Sequence, residues 1–240
     1  MSRQVKNIIN ISVFLICIAL INIAGQNIEL EIRGVNAFTF ILIVAVLVQV
    51  IFFIPSFLLK TEKYYDLVGS LTYITTISFA YFAVEDKTII DSIIYFYVMI
   101  WASRLGIYLF RRVQKDGKDV RFEKAKRHFF WFLQYWMGQA LWVCLTACAA
   151  IIAILSPEDD SLPVLAIVGM ALWLTGFTIE SVSDYQKRAF RKDNNPSQSF
   201  IHTGLWARSR HPNYFGEITL WIGIAVIALN TLTGVEYITL

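Results

Sequence analysis

The chain has 240 residues and a net charge of +3, with 57% hydrophobic and only 16% charged residues. A water-soluble protein of this length needs more charged surface than this composition supplies, so a soluble globular fold is excluded. Twelve glycines, five prolines and the lack of a repeating period exclude a collagenous or low-complexity chain. The composition indicates an integral membrane protein.

Seven apolar runs have a length suited to crossing a bilayer, which takes about 20 residues of helix. They lack the strict alternation of an outer-membrane barrel, so we predict an all-α polytopic membrane bundle of about seven transmembrane helices. The predicted spans are residues 8–24, 37–59, 64–84, 89–110, 129–155, 163–181 and 215–233. We expect residues 1–240 to form a single integral membrane domain.

Lysine and arginine are distributed unevenly between the connections. Eighteen of the 21 lie before the first predicted span or in the connections after spans 2, 4 and 6, and the others are Arg33, Lys87 and Arg104. Because basic residues are retained on the cytoplasmic side of short connections, we predict a cytoplasmic N-terminus. The three cysteines all fall within spans and no Cys/His cluster accompanies them, so we expect no metal site and no disulfide.

Arg104 lies about two turns inside the fourth span, where a cation costs several kcal/mol and marks a polar cavity or a paired partner. Tyr108 and Arg111 follow on the same helical face, and Arg121 lies in the next connection. These residues are candidates for binding a phosphorylated ligand. The alternative is a solvated basic segment that faces anionic lipid headgroups.

The connection after the sixth span begins with a polar stripe. Its members recur at helical spacing and continue the sixth helix beyond the hydrocarbon, and they are Glu180, Asp184, Lys187 and Arg191. Either the stripe lines a ligand site or it only forms a series of weak ion pairs along one helix, and the sequence leaves both interpretations open.

The seventh span begins near Pro212, with His211 or Asn213 as its cap. Free N–H groups and the positive end of the helix dipole then lie beside Arg208 and Arg210, which predicts an anion-binding site. The alternative is an ordinary capped helix start whose arginines extend to the membrane interface.

Three segments of the chain resemble the bacterial DUF1295 proteins of the steroid 5-alpha-reductase C-terminal superfamily. The segments are Gly204-Leu-Trp-Ala-Arg-Ser-Arg-His-Pro-Asn-Tyr-Phe-Gly-Glu217, Asp184-Tyr-Gln-Lys-Arg-Ala-Phe190 and Asp66-Leu-Val-Gly-Ser-Leu-Thr-Tyr73. The resemblance covers about residues 64–240. It implies a protein of a bacterial inner membrane.

The resemblance further implies an NADPH-dependent reductase that saturates a carbon–carbon double bond conjugated to a carbonyl in a lipophilic substrate. The family's cofactor-binding asparagine and glutamate fall on Asn213 and Glu217, its arginine-containing stripe on Asp184 and Arg191, and its helix-4 arginine on Arg104. The complete set of expected cofactor residues is Arg104, Tyr108, Arg111, Arg121, Asp184, Lys187, Arg191, Arg208, Arg210, His211, Asn213, Tyr214 and Glu217.

Candidates for polarising the substrate carbonyl are Asp66, Tyr73 and Glu180, although Asp66 also suits an interfacial residue that begins span 3. The expected partners are a lipophilic small molecule and membrane lipids, with no nucleic acid and an open oligomeric state. Trp101 stands where steroid reductases have a tyrosine, which argues against 3-oxo steroids as substrates. Relatives continue past the seventh span, so we expect a truncated form ending at Leu240.

Two other functions stay open. Isoprenylcysteine-type methyltransferases of the same broad superfamily also carry an Arg-His-Pro-x-Tyr element, which there binds S-adenosylmethionine. A non-catalytic membrane protein is the second alternative, in which polar residues within the spans serve as packing contacts between helices. Those residues are Asn10, Asn22, Gln49, Gln134 and Gln139.

Overall fold

The computed structural model describes residues 2–117, 119–156, 162–193 and 200–240. Each predicted span corresponds to one helix, which confirms the all-α fold. The helices are α1 (Arg3–Ile21), α2 (Ala37–Leu58), α3 (Tyr65–Ala83), α4 (Ile89–Asp116), α5 (Phe129–Leu155), α6 (Val164–Asp193) and α7 (Pro212–Ala228). The strands β1 (Glu31–Ile32) and β2 (Val35–Asn36) form one antiparallel hairpin.

Five helical segments in the described part of the chain are long and apolar enough to cross a membrane. They are Arg3–Gly25, Ala37–Leu58, Ile89–Asp116, Phe129–Leu155 and Val164–Arg191. The protein is therefore an integral membrane protein with several spanning helices. α3 and α7 are not among the five: α3 carries many hydroxyl side chains, and α7 has only 17 residues. The number of seven crossings stays a prediction.

The chain folds as two compact units. The first comprises Met1–Asp160 with Thr231–Leu240, and the second comprises Ser161–Asn230. α1 to α5 therefore belong to the first unit, and α6 and α7 form the second. The single membrane domain expected over residues 1–240 stays a prediction.

The core of the first unit is a cluster of aromatic rings where α2, α3 and α5 pack together. Phe53, Phe132 and Trp136 are each at most 2% exposed, and Phe122 from the α4–α5 connection is 1% exposed. The ring of Trp136 lies 5.3 Å from that of Tyr65 at the start of α3. In a bilayer these rings stabilise the unit through close packing and not through the hydrophobic effect, because lipid tails are as apolar as the side chains.

The basic segments of the first unit lie at one of its ends. The guanidinium carbon of Arg3 lies 4.6 Å from the ring centre of Trp131, so α1 and α5 begin at the same end. Arg112, in the last turns of α4, forms an ion pair with Asp66 in the first turn of α3. The segments before α1 and after α4 thus share one end, as the charge distribution predicts within this unit. The assignment of this end to the cytoplasm stays a prediction.

The second unit is an antiparallel helix pair in direct backbone contact. Gly176 of α6 faces Gly216 of α7, and Gly169 faces Gly223 one heptad further along. A Cβ atom on Gly216 would lie 2.5 Å from the backbone nitrogen of Glu180 and 2.7 Å from the carbonyl oxygen of Gly176. Glycine is therefore required for this approach, which is typical of helices that associate in membranes. It sets Glu180 directly against the first turns of α7.

Candidate functional site

The polar stripe on α6 is buried in its first half and open in its second. Glu180 and Asp184 are 2% and 5% exposed, whereas Lys187 is half-buried and Arg191 is exposed. Asn213 precedes Gly216 by three residues and therefore shares the face of α7 that packs on α6. In the second unit, the buried carboxylates of Glu180 and Asp184 thus lie at the same helix interface as Asn213. Lys187 and Arg191 lie nearer the end of α6.

The short helical segment Gly204–Ala207 is fastened to α6. The backbone N–H of Leu205 donates to Oε1 of Gln186 at 3.0 Å, and the indole N–H of Trp206 donates to the carbonyl oxygen of Ser183 at 3.1 Å. Gly204 has φ +61°, and a Cβ atom there would lie 2.5 Å from the Gln186 amide. Glycine is therefore favoured by its left-handed conformation, and an added Cβ atom would also displace the end of the Gln186 side chain. This attachment brings the Arg208–Arg210 segment alongside the end of α6.

A cavity of about 480 Å³ lies between the last turns of α6 and the segment that precedes α7. This volume falls within the usual range of about 300–1,000 Å³ for small-molecule sites. Its cationic lining residues are Lys187, Arg191 and Arg210, all predicted cofactor residues. Aromatic rings complete the wall, namely Phe190, Phe200 and Trp206. Cations favour phosphate oxygens and aromatic faces favour a flat ring, so the cavity suits a ligand that carries both.

The start of α7 has uncapped backbone donors and one unsatisfied acceptor. Pro212 occupies the first helical turn as predicted, and His211 takes the cap position without a capping hydrogen bond from its side chain. The expectation that Asn213 is an alternative cap is wrong, because Asn213 lies inside the helix. Its Oδ1 atom is buried and has no hydrogen-bond partner among the described residues. The ring of Tyr214 is exposed and stacks on His211 at 5.3 Å.

The predicted residues of α4 extend toward the basic end of the first unit. Arg104 and Tyr108 are half-buried one turn apart, and Arg111 is exposed. Arg121 in the following connection is engaged with two acids: its guanidinium contacts the Asp119 carboxylate at 2.6 Å and Asp66 at 3.6 Å. Arg121 therefore belongs to an ion-pair network within the first unit. Its role in cofactor binding stays a prediction.

Opposing effects act on the Asp119–Arg121 pair. Burial by itself raises the pKa of Asp119, but hydrogen bonds from the side chain and backbone of Arg121 outweigh it and leave this pKa below its usual value. The same hydrogen bond acts in the opposite direction on Arg121: it raises the pKa of the guanidinium, although burial by itself would lower it. The pair is thereby held in its charged form at neutral pH.

Glu62 is a structural part of this network that the sequence pattern did not predict. It is 3% exposed, and its carboxylate accepts from Nζ of Lys126 at 2.6 Å and from the backbone N–H of Asp119 at 3.0 Å. Phe122 and Ala125 of the same connection are also buried. The α4–α5 connection is therefore packed onto the end of the first unit. An acid just before α3 amid basic residues was the available signal, but its partner is 64 residues away.

Tyr73, a candidate for polarising the substrate, lies in the interior of the first unit. It is 6% exposed, and its ring packs edge-on against Trp101 with centroids 4.9 Å apart. Its hydroxyl group lies 2.5 Å from Oγ1 of Thr146. The Thr146 hydroxyl donates to the carbonyl oxygen of Trp142, so its hydrogen is used and Tyr73 donates to Thr146. A phenol from α3 thus lies beside Trp101, the residue predicted to stand where steroid reductases have a tyrosine.

Asp66 has a different environment from Tyr73. It lies in the first turn of α3, and its carboxylate contacts Arg112 at 3.3 Å and Arg121 at 3.6 Å. Both partners come from the end of α4 and the α4–α5 connection, so Asp66 helps to hold that connection in place. Its role toward a substrate stays a prediction.

Comparison with known proteins identifies the family. The family model described as "Protein of unknown function (DUF1295)" matches residues 52–240. The chain belongs to the DUF1295 family. The resemblance found in the sequence is confirmed, and the matching region begins somewhat before residue 64.

The chain is similar in part to curated proteins named 3-oxo-5-alpha-steroid 4-dehydrogenase 1. The mouse 3-oxo-5-alpha-steroid 4-dehydrogenase 1 is 37% identical over 71 residues, which is 30% of this chain and 28% of that protein. The human enzyme of the same name is 38% identical over 60 residues, 25% of this chain and 23% of the relative. The match thus spans about a quarter of the length of these relatives. No solved structure matches the chain significantly.

Proposed function

We propose that the protein is a membrane-embedded, NADPH-dependent reductase that saturates a carbon–carbon double bond conjugated to a carbonyl in a lipophilic substrate. The observation that carries the proposal is the cavity of about 480 Å³ at the end of α6, lined by three cations and three aromatic rings. The partial similarity to 3-oxo-5-alpha-steroid 4-dehydrogenases supports an oxidoreductase of this type.

The residues of the second unit fit the chemical groups of NADPH. Lys187, Arg191 and Arg210 would bind its phosphates, and the aromatic wall suits its adenine ring. The unsatisfied Oδ1 of Asn213 is an acceptor for an N–H donor such as a carboxamide. When bound, NADPH supplies a hydride to the β-carbon of the substrate.

The protein's own contribution is to polarise the substrate carbonyl and to exclude water. Tyr73 is the candidate with a neutral O–H donor in a nearly water-free environment, beside Trp101. To donate to a substrate oxygen, the Tyr73 hydroxyl group would have to break its hydrogen bond with Oγ1 of Thr146. Glu180 is a second buried candidate, whereas the oxygen atoms of Asp66 are occupied by two arginines. Trp101 in place of a tyrosine favours a substrate other than a 3-oxo steroid.

The test is a comparison of ligand binding to the detergent-solubilised protein by isothermal titration calorimetry. Each lost charge-assisted hydrogen bond is worth about 1.5–3 kcal/mol, so Lys187→Ala and Arg191→Ala should each weaken NADPH binding by roughly 10- to 100-fold. Arg188→Ala is the matched control, because this neighbouring arginine lies 5.8 Å from the Tyr185 ring and does not line the cavity. Its affinity for NADPH should be unchanged.

If the protein binds S-adenosylmethionine and does not bind NADPH, the proposed reductase activity is wrong and a methyltransferase activity is favoured. Binding of neither compound would contradict both enzymatic functions. If NADPH binds, a panel of α,β-unsaturated ketones and acyl compounds, with oxidation of the cofactor followed by absorbance, identifies the substrate class.

We further propose that the basic end of the first unit faces the cytoplasm in a bacterial inner membrane. The charges at this end support the orientation, since Arg3, Arg112, Arg121 and Lys126 all lie there. Labelling of a cysteine introduced at Ser2 with a membrane-impermeant maleimide tests it, in a variant whose native cysteines are replaced. The label should react only after the inner membrane of spheroplasts is opened.

A further inference from the structure

The first turns of α1 and α5 lie side by side at the basic end of the first unit. The guanidinium carbon of Arg3 lies 4.6 Å from the ring centre of Trp131, and α1 packs along α5. The first turn of each helix contains no acidic residue. The N-terminus of a helix carries a partial positive charge, so two positive helix ends lie next to each other here.

Four exposed cations lie within or just before these two helix starts, and the chain supplies them with no counter-charge. They are Arg3, Lys6, Lys124 and Arg127, and none of them forms a salt bridge within the described part of the chain. Three acids of the same end, Glu62, Asp66 and Asp119, are already paired within the ion-pair network of the α4–α5 connection. The positive charge at the starts of α1 and α5 is therefore left for an anion from outside the chain.

The start of α5 also presents uncapped backbone donors. His128 occupies the cap position without a capping hydrogen bond from its side chain, and its ring stacks on Trp131 with centroids 6.0 Å apart. The first hydrogen bond of this 27-residue helix runs from the N–H of Phe132 to the carbonyl oxygen of His128 at 2.9 Å. The N–H groups of the three preceding residues thus have no acceptor within the helix, and such groups suit phosphate oxygens.

A buried polar side chain of α1 lies one turn further into the membrane than Arg3. Asn7 is 8% exposed and makes no hydrogen bond with any described residue. It belongs to the buried stripe of α1 that continues with Phe14 and Ile18. Helical side chains lean toward the N-terminus of their helix, so the Asn7 amide points toward the turn that carries Arg3. Hydrocarbon offers this amide no partner, so a bound molecule with a polar group has to supply one.

Gln134 provides the same signal from α5. Its Oε1 atom is buried and has no hydrogen-bond partner among the residues described. Gln134 lies between Trp131, which contacts Arg3, and Gly138, where an added Cβ atom would lie 3.4 Å from the Phe14 ring of α1. Its side chain also leans toward the basic end, because α5 begins there. Each of the two helices thus directs a polar group that needs a partner toward this end.

The same face of α5 continues into the membrane as an exposed apolar surface. Trp142 and Leu145 follow Trp131 at helical spacing and are 56% and 46% exposed. Acyl chains of a lipid can therefore lie along α5 beneath the cationic helix starts. This surface favours a phospholipid over a soluble phosphate compound, because an anionic lipid carries its phosphate at the membrane surface and its apolar chains below it.

We propose that one anionic phospholipid of the phosphatidylglycerol type binds at the starts of α1 and α5. Its phosphate accepts hydrogen bonds from the Arg3 guanidinium and from the first N–H groups of α5. The Asn7 amide donates to an ester carbonyl oxygen, and a hydroxyl group of the lipid headgroup donates to Oε1 of Gln134. A phospholipid extends over several helical turns, so these groups bind different parts of one molecule. The site lies in the first unit and is independent of the proposed enzymatic function.

The test is native mass spectrometry of the full-length protein in detergent, after incubation with phosphatidylglycerol or with phosphatidylcholine of the same acyl chains. Phosphatidylcholine carries a phosphate but no net negative charge. One phosphatidylglycerol molecule should stay bound under conditions that remove phosphatidylcholine. Arg3→Gln should weaken phosphatidylglycerol binding by about 10-fold, because it removes a charge-assisted hydrogen bond. Equal retention of both lipids by the parent protein would overturn the proposal.

Substitutions of Asn7 separate a built site from a general attraction between charges. Asn7→Leu leaves the net charge unchanged and removes the amide, so phosphatidylglycerol binding should weaken by about threefold. Asn7→Asp places a carboxylate of similar shape beneath the phosphate, so binding should weaken by about 10-fold. Unchanged affinity in both variants would contradict the site, and Asn7→Leu decides alone if Asn7→Asp does not fold.

Lys115→Gln is the matched control for Arg3→Gln. Lys115 is an exposed cation in the last turn of α4, a helix that packs mainly on α3. Its substitution removes the same charge from the same end, but phosphatidylglycerol affinity should stay within about twofold of the parent. A loss as large as that of Arg3→Gln would show non-specific attraction and would overturn the proposal. Displacement of the lipid by an excess of inorganic phosphate would do the same, because it indicates a site for a free anion.

Discussion

Substitution of Gly216 by alanine is the sharpest test of how the second unit is built. The added Cβ atom would lie 2.5 Å from the Glu180 nitrogen and 2.7 Å from the Gly176 carbonyl oxygen, whereas real Cβ contacts are not closer than 3.0 Å. Both obstacles are helix backbone, which cannot rotate away as a side chain can. The helices must therefore separate by about 1 Å, and such overpacking typically costs about 1–3 kcal/mol. Alanine recovers up to about 1 kcal/mol through its higher helix propensity.

The expected net effect of Gly216→Ala is a loss of about 1–2 kcal/mol in stability. It should also weaken NADPH binding, because Asn213 lies one turn earlier on the same helix face. Unfolding in mixed micelles, followed by tryptophan fluorescence, measures the first effect, and calorimetry measures the second.

Gly138→Ala on α5 is the control for this substitution. The substitution gains the same helix propensity, but the atoms nearest to its Cβ would belong to the Phe14 ring, at 3.4 Å and beyond, an ordinary van der Waals contact. Its stability should stay within about 0.5 kcal/mol of the parent or rise. Equal stability of the Gly216 and Gly138 variants would refute the direct backbone contact between α6 and α7.

Three further predictions concern the connections. Glu62→Gln leaves the Lys126 ammonium, whose side chain is 20% exposed, without its anionic partner, so stability should fall by about 1–3 kcal/mol and amide exchange over 119–127 should accelerate. The pKa of Asp119 is lower in the folded protein than in the unfolded chain, where it is about 3.9, so its charged form stabilises the fold. This stabilisation is complete at a pH above the unfolded pKa and is lost as the pH falls through the folded pKa. Asp119→Asn should flatten the acid limb of a stability–pH curve, and an unchanged limb contradicts the argument. Gly204→Ala strains a residue at φ +61°, so it should weaken NADPH binding severalfold while circular dichroism shows unchanged helix content.

Helix positions in this protein could be predicted from the sequence because they depend on local properties. The length of an apolar run decides whether a helix spans the bilayer, and α5 was predicted with the bounds that the structure has, Phe129–Leu155. α6 extends to Asp193, well past its apolar run, because a helix satisfies its backbone equally well outside the membrane. The Pro212 start of α7 was also predictable, since proline suits a first helical turn.

The same local reasoning predicted residues of the cavity but not their grouping. Lys187 and Arg191 lie on one helix face by spacing alone, whereas Arg210 joins them only because the segment after Gly204 is hydrogen-bonded to α6. Arg208 and Arg210 are two residues apart, yet Arg210 lines this cavity and Arg208 is not among its lining residues. Spacing in the sequence does not decide such a difference between neighbours.

Charge pairing and backbone contact were decided by the tertiary structure. Arg121 was predicted to bind phosphate because it lies in a basic connection, and that role stays a prediction. The fold places its guanidinium between Asp119 and Asp66. Glu62 forms its ion pair with Lys126, which is distant in the chain and comes close only after α3, α4 and α5 have packed. The glycines of α6 and α7 become essential only when the two helices meet. Hydrophobic length is a property of one segment, whereas ion pairing and close packing belong to pairs of segments, which a single sequence does not bring together.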